Sequence, residues 1–134
     1  MVEHLYQKLI EESSDIATII DSDGTITYVS PSVTKTLGYE PEDLVGEVGY
    51  EYQHLDDRDA VAEAIETIQT NPDDTEIIET RFRHADGSWC WIEATLQNRF
   101  DDPDINGILV NSRDITQRKQ QEHQYQELAE ELSC

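Results

Sequence analysis

Three consecutive segments in the second half of the chain alternate apolar and polar residues with a period of two. They cover residues 75–83, 89–100 and 108–113. This alternation is typical of β-strands with one buried face. Asp86-Gly87 forms a tight turn after the first segment, and the Asp/Pro/Asn/Gly stretch 101–107 reverses the chain after the second. The pattern therefore predicts a three-strand antiparallel meander.

A β-hairpin is predicted near the start of the chain. The apolar, β-branched run 16–21 and the segment 25–30 flank the turn Asp21-Ser-Asp-Gly24, whose glycine accepts a positive φ. Pro31 then opens a helical stretch, with Ser30 as its N-cap and Gly38 as its end.

Two further helical segments are predicted between the hairpin and the meander. Residues 41–46 form one short helical turn. A longer helix begins where Asp56 or Asp57 caps it, and Asn71-Pro72 stops it. Helices grouped between two strands and a meander indicate an antiparallel α+β domain.

The two ends of the chain are predicted to be helical. Residues 3–13 form an amphipathic helix that carries Leu5 and Leu9 on its apolar stripe. The last segment begins with Asp114-Ile-Thr-Gln117, which fits an N-capping box. Its apolar residues Tyr125, Leu128 and Leu132 have coiled-coil spacing, although one heptad does not prove a coil. We expect a flanking helix at 1–14, a domain at 15–116 and a C-terminal helix or linker at 117–134.

The meander strands separate into an inner row and an outer row. The outer rows hold the charges and also both tryptophans, Trp89 and Trp91. Tryptophans on the outer face of a sheet require cover, which the N-terminal helix, the C-terminal helix or a second subunit would supply. We therefore predict a docking face formed by Trp89 and Trp91 together with Leu5 and Leu9. Partial exposure of both rings beside long side chains remains the alternative.

The charge of the chain excludes several partners. It has 9 Lys and Arg against 30 Asp and Glu, a formal net charge of −21. A field of this sign repels nucleic acid and anionic membrane surfaces. No apolar run reaches the length of a membrane span, and the N-terminus lacks signal-peptide features. We expect a soluble, cytoplasmic protein from an extreme halophile, because concentrated salt screens such self-repulsion.

Motifs of catalysis and metal binding are absent from the sequence. It contains no nucleophile elbow, phosphate-binding loop, dinucleotide fingerprint or zinc-protease motif. The four histidines are scattered, and Cys90 and Cys134 form no metal-binding or disulfide framework. The loop after Asp21 resembles part of a calcium loop, but Ile19 and Ser30 occupy its two terminal ligand positions. We expect no enzyme activity and no metal site.

Five local strings, in order, resemble a PAS domain over about residues 14–119. They are Ile19-Ile-Asp-Ser-Asp-Gly-Thr-Ile-Thr-Tyr-Val-Ser-Pro-Ser32, Leu37-Gly-Tyr-Glu-Pro-Glu-Asp-Leu-Val-Gly46, His54-Leu-Asp-Asp57, Asp86-Gly-Ser-Trp-Cys-Trp-Ile-Glu93 and Ser112-Arg-Asp-Ile-Thr-Gln-Arg-Lys119. The third string departs from the family pattern, with Leu55 in place of proline. The resemblance implies a five-stranded antiparallel sheet of order 2-1-5-4-3, with helices over one face enclosing a small cavity.

The resemblance also implies a function. PAS domains are sensory or dimerising modules of longer signalling proteins such as histidine kinases and transducers. The expected partners are therefore a second copy of the chain and adjacent kinase or transducer domains. Asp114, Ile115 and Thr116 match the segment through which the last strand joins the output helix, a role compatible with simple helix capping.

The ligand of the cavity is left open by the sequence. Flavin-adduct members need a cysteine after the second helix, and residues 46–55 contain none. Haem-binding members use a histidine on the long helix, where this chain has none. Redox sensing through FAD, an organic acid, another small ligand or a filled core remain alternatives. The candidate lining consists of inward-facing residues, which fit a plain core equally well: Phe82, Ile92, Ala94, Ile108, Val110 and Ser112.

Overall fold

The computed structural model describes residues 15–132 of the chain. The five strands are β1 (Ile16–Ile20), β2 (Ile26–Val29), β3 (Thr75–Arg83), β4 (Trp89–Arg99) and β5 (Gly107–Asp114). The four α-helices are α1 (Val33–Leu37), α2 (Pro41–Leu44), α3 (Arg58–Thr70) and α4 (Thr116–Leu132). Short 3-10 turns, Gly49–Tyr52 and Leu55–Asp57, connect α2 to α3. The predicted N-terminal helix, with Leu5 and Leu9, lies outside the described residues.

The five strands form one antiparallel sheet of order β2-β1-β5-β4-β3, which confirms the predicted topology. Its register places the inner rows of the strands side by side. Ile78 is opposite Ala94, Ala94 is opposite Ser112, and Ser112 is opposite Ile16. Because side chains alternate along each strand, this register gives the sheet one continuous inner face.

The hydrophobic core lies between this inner face and helices α1 to α3. Ile16, Ile92 and Ile108 from the sheet are almost fully buried. Val33 from α1 and Ile68 from α3 are buried in the same cluster. Burial of this apolar surface, at about 25 cal/mol per Å², is the main force that holds the helices on the sheet.

The first helix differs from the prediction at its start. It begins at Val33 rather than Pro31, so the prediction that Ser30 caps it is wrong. The Ser30 hydroxyl instead accepts the Ala17 N–H at 2.9 Å and shares a hydrogen bond with the Ser32 hydroxyl. Ser30 is fully buried, so its hydroxyl needs partners inside the core and joins β2 to β1. Gly38 ends the helix as predicted, with a φ of 81°.

Close contact between β5 and β1 requires a residue without a side chain at the start of β5. A Cβ atom on Gly107 would lie 2.5 Å from the Ile20 carbonyl oxygen and 2.9 Å from Ile19 Cγ2. We predict that Gly107→Ala lowers the free energy of unfolding by about 2 kcal/mol, because backbone has to shift. Urea denaturation measures the change.

Gly49→Ala is the matched control for this substitution. A Cβ on Gly49 would meet only Ile26 side-chain atoms at 3.6 and 3.7 Å, which is ordinary contact. Its effect should stay within about 0.5 kcal/mol. Equal stability of the two variants would show that β5 does not approach β1 this closely.

Candidate functional site

A cavity of about 110 Å³ lies between the inner face of the sheet and the helices. Five residues predicted as lining do border it: Phe82, Ile92, Ala94, Val110 and Ser112. Ile108 is fully buried but does not border the cavity, because it packs in the adjoining core. Most of the remaining lining comes from aliphatic side chains of β1, β2 and the helices.

A few polar groups also border the cavity. Thr18, Thr80 and Ser112 contribute hydroxyls from the sheet, and Gln53 contributes an amide. Gln53 Oε1 is buried and has no hydrogen-bond partner among the described residues. Sequence analysis missed Gln53, because it stands in an irregular segment where no periodicity shows which way a side chain points.

Phe82 borders the cavity and belongs to a cluster of aromatic rings packed against the core. The Phe82 ring stacks on Tyr52 with a centroid distance of 5.5 Å, and Tyr52 meets Tyr39 edge-on at 5.6 Å. The Arg83 guanidinium lies 5.2 Å from the Tyr52 ring centre. Burial is the main cause that raises the pKa of the Tyr52 hydroxyl.

The predicted signal-exit residues Asp114, Ile115 and Thr116 converge on the backbone of Trp91. The Ile115 N–H donates to the Trp91 carbonyl at 2.8 Å. The Trp91 N–H donates to the Thr116 hydroxyl at 3.0 Å. Asp114 Oδ1 accepts the Thr116 N–H at 2.9 Å, which caps the start of α4, and Ile115 is buried. These bonds fix the direction in which α4 leaves the sheet.

The ring of Trp91 contacts two cations on the outer face of the sheet. The Arg81 guanidinium lies 5.0 Å from the ring centre, and Lys119 Nζ of α4 lies 4.9 Å from it. Lys119 also pairs with Glu79 at 2.6 Å, and this hydrogen bond is the main cause that lowers the pKa of the Glu79 carboxyl. The cover over Trp91 therefore includes the first turns of α4.

The other tryptophan of the predicted docking face has a different environment. Trp89 is 43% exposed, and its ring lies 4.8 Å from that of His54. A wide groove between it and α4 is lined by Trp89, Trp91 and residues of α4 such as Lys119 and His123. The structure thus places Trp89 and Trp91 on one face, and α4 lies along it.

Arg81 links the start of α3 to Trp91. Its backbone N–H and Nε donate to Asp57 Oδ2 at 2.8 and 3.0 Å, and its Nη2 donates to Asp57 Oδ1 at 2.9 Å. Asp57 stands at the N-cap position of α3, but its side chain makes no capping bond, so the predicted capping role is wrong for Asp57. The hydrogen bond from Arg81 is the main cause that lowers the pKa of Asp57.

These contacts form one chain of interactions, which we call the Trp91 junction and define as Asp57, Arg81, Trp91, Lys119 and Glu79. It connects the start of α3 with the first turns of α4 through two strands of the sheet. Within the junction, Arg81 pairs with Asp57 and Lys119 pairs with Glu79, and both cations also contact the face of the Trp91 ring. The junction can thus hold α4 at a defined position relative to the cavity-bearing domain.

Comparisons with known proteins agree with this fold. The family model described as "PAS fold" matches residues 26–106, more than half of the chain. The White collar 2 protein of Neurospora crassa is 36% identical over 87 residues, 64% of this chain and 16% of that protein. The chain spans only 13% and 16% of the lengths of the first curated relatives that it matches.

Two solved structures are similar over most of the chain. The PAS domain of an HTR-like protein from Haloarcula marismortui gives a TM-score of 0.72 at 27% identity, covering 85% of this chain and 97% of that one. A sensory box histidine kinase/response regulator from Burkholderia thailandensis gives 0.72 at 28% identity, covering 96% and 97%.

The chain belongs to the PAS family and is a PAS sensory domain. Across residues 15–132, no helix combines the length and the apolar character needed to cross a membrane.

The Asp57–Arg81 pair should make stability depend on pH in the acid range. The folded-state pKa of Asp57 is lowered, so its contribution is present above the unfolded pKa of about 4 and is lost as pH falls through the folded value. We predict that Asp57→Asn costs about 2 kcal/mol of unfolding free energy at neutral pH, a difference that shrinks below about pH 4. Urea denaturation at several pH values measures it.

Asp56→Asn serves as the control because it removes the same charge from a neighbouring site. The Asp56 side chain is 76% exposed, and its Oδ2 lies 4.0 Å from Arg81 Nη2. Its loss should change stability by at most about 0.5 kcal/mol at any pH. A pH-independent cost of Asp57→Asn would contradict an ionic role for this carboxylate.

Proposed function

We propose that this PAS domain is a sensory and dimerising module of a larger signalling protein of the histidine kinase or transducer type. In this proposal, α4 is the output element. The main support is the geometry at Trp91, whose backbone binds Ile115 and Thr116 and whose ring contacts Lys119. Any displacement of β4 is thereby transmitted to the start of α4. The similarity to a sensory box histidine kinase and to an HTR-like protein supports the choice of output domain.

Dimerisation is proposed to use the side of α4 that faces away from the sheet. Tyr125, Leu128 and Leu132 are 74%, 51% and 78% exposed. None of them lines the groove between α4 and the sheet. Their spacing of three and four residues forms an apolar seam suited to the same helix of a second copy.

The acidity of the chain supports a proposal about its surroundings. A net charge of −21 on each subunit opposes dimerisation at low salt. We propose a cytoplasmic protein of a halophilic organism, in which concentrated salt screens this repulsion. The proposed role is non-catalytic and involves neither nucleic acid nor a membrane surface.

Ligand sensing is a second candidate function, supported by the cavity of about 110 Å³. Its aliphatic lining and few polar groups are typical of small-molecule sites. A flavin–cysteine adduct is disfavoured because the segment 46–55 holds no cysteine, and haem is disfavoured because α3 carries no histidine. Both candidates share the same output helix.

Sedimentation of the chain at about 0.1 M and about 2 M KCl tests the dimer proposal. We predict a dimer whose dissociation constant falls as salt rises, because screening weakens the repulsion between subunits. Leu128→Glu should raise the dissociation constant about tenfold or more, since it buries a carboxylate in the apolar seam.

Gln126→Glu is the matched control, because it adds the same charge to α4 at an exposed position outside the seam. It should leave dimerisation nearly unchanged in concentrated salt. A monomer at every salt concentration, or equal effects of both substitutions, would contradict dimerisation through the seam.

A further inference from the structure

Two carboxylates lie opposite each other on the outer face of the sheet. Glu79 of β3 and Glu93 of β4 are cross-strand partners in the register of the meander. Like charges directly opposite each other destabilise a strand pair, so these carboxylates need a nearby cation. The cation comes from α4: Arg118 Nη2 lies 2.5 Å from Glu79 Oε2, and Arg118 Nη1 lies 3.6 Å from Glu93 Oε2. Lys119 Nζ adds a second contact to Glu79 at 2.6 Å. We call these four residues the α4 ion-pair cluster.

The cations of the cluster stand at an end of α4 that does not favour positive charge. Arg118 and Lys119 are the third and fourth residues of the helix, whose first turn holds no acidic residue. The helix dipole disfavours a cation near the N-terminus of a helix. These two residues are also the only Lys or Arg in α4, which carries four glutamates further along. The carboxylates of the sheet, and not the helix itself, therefore explain their position.

The attachment of α4 to the sheet includes little apolar burial. None of the residues Thr116–Leu132 is buried, and the apolar seam of the helix is exposed. The cluster itself is accessible to water, since the side chains of Glu79, Glu93 and Arg118 are 37%, 30% and 45% exposed. Salt screens exposed ion pairs and thereby weakens them. Concentrated salt should therefore loosen the first turns of α4 from the sheet.

Two other sets of contacts around Trp91 respond less to salt. The pair of Asp57 and Arg81 is bidentate, and its side chains are only 14% and 26% exposed, so screening reaches it less. The bonds from the Trp91 backbone to Ile115 and Thr116 join uncharged groups. Salt therefore acts on the α4 ion-pair cluster and leaves the start of α4 attached to β4.

We propose that the domain senses ionic strength through the α4 ion-pair cluster. At low salt the cluster holds the first turns of α4 on the sheet. At high salt the cluster loosens, and α4 turns about its attachment to the backbone of Trp91. This inference rests on the proposed function, in which α4 is the output element, and it names the stimulus. High salt also screens the repulsion between subunits, so both effects act on the output helix as salt rises.

Hydrogen exchange of the Lys119 amide, whose N–H donates to the Ile115 carbonyl, tests this inference. In the unmodified chain we predict exchange about fivefold faster or more at about 2 M KCl than at about 0.1 M, relative to the intrinsic rate in each solution, because a first turn that leaves the sheet frays. Amides of the central strands should exchange no faster. NaCl should act like KCl, and sucrose of equal osmolality should cause no acceleration. Leu128→Glu, which disrupts the seam, should show the same acceleration, so the effect does not depend on dimerisation.

Arg118→Gln assigns the salt effect to the cluster, because it removes the cation that bridges Glu79 and Glu93. At low salt its Lys119 amide should already exchange nearly as fast as that of the unmodified chain at high salt. Its exchange should then change at most about twofold between the two KCl concentrations. A loss of salt dependence separates this role from a general loss of stability, which would accelerate exchange at both concentrations alike.

Arg99→Gln is the matched control, because it makes the same substitution at the other end of β4. The Arg99 guanidinium donates to the uncharged oxygens of Asn98 and Gln97. This variant should retain the full salt dependence of the unmodified chain.

Sedimentation of the same samples separates this inference from the proposed function. Exchange that does not depend on KCl, that sucrose accelerates equally, or that keeps its full salt dependence in Arg118→Gln overturns ionic-strength sensing, even where the chain dimerises as proposed. A chain that stays monomeric at every salt concentration contradicts the dimerising module, whatever the exchange shows.

Discussion

Trp91 is the residue on which the arrangement of the domain and its output helix depends. Its backbone N–H and carbonyl bind Thr116 and Ile115, so the end of the sheet and the start of α4 share one set of hydrogen bonds. Its ring contacts two cations, the Arg81 guanidinium of β3 and the Lys119 ammonium group of α4. Neutral backbone bonds set the direction of α4, and the cation contacts hold its first turns against the sheet.

The fold was predictable because its signals are local. Alternation in the meander, the turn at Asp86-Gly87 and Gly38 at the end of α1 each specify structure within a few residues. The resulting register then brings Ile78, Ala94 and Ser112 onto one inner face. The sheet order followed from resemblance to the family, because strand alternation alone does not determine which strands are neighbours.

The site was less predictable because its contacts join residues far apart in the chain. Asp57 and Arg81 are 24 residues apart, and in a chain with 30 acidic residues no local signal marks Asp57 as a partner of an arginine. Its position before a helix favoured a cap, but a bidentate arginine is a stronger partner for a carboxylate than backbone N–H groups. Gln53 could not be found for a different reason, since its significance lies in a missing partner.

Exchange of the α4 amides with solvent tests the role of Trp91 most directly. The Lys119 N–H, bonded to the Ile115 carbonyl at 3.0 Å, reports on the first turn of α4. In Trp91→Leu we expect this amide to exchange about tenfold faster or more, with the central strands still protected, because the ring no longer binds Lys119. Trp89→Leu, on the same face, should leave its exchange unchanged. Unaltered exchange in Trp91→Leu, or equal acceleration in both variants, would contradict the claim that Trp91 holds the output helix.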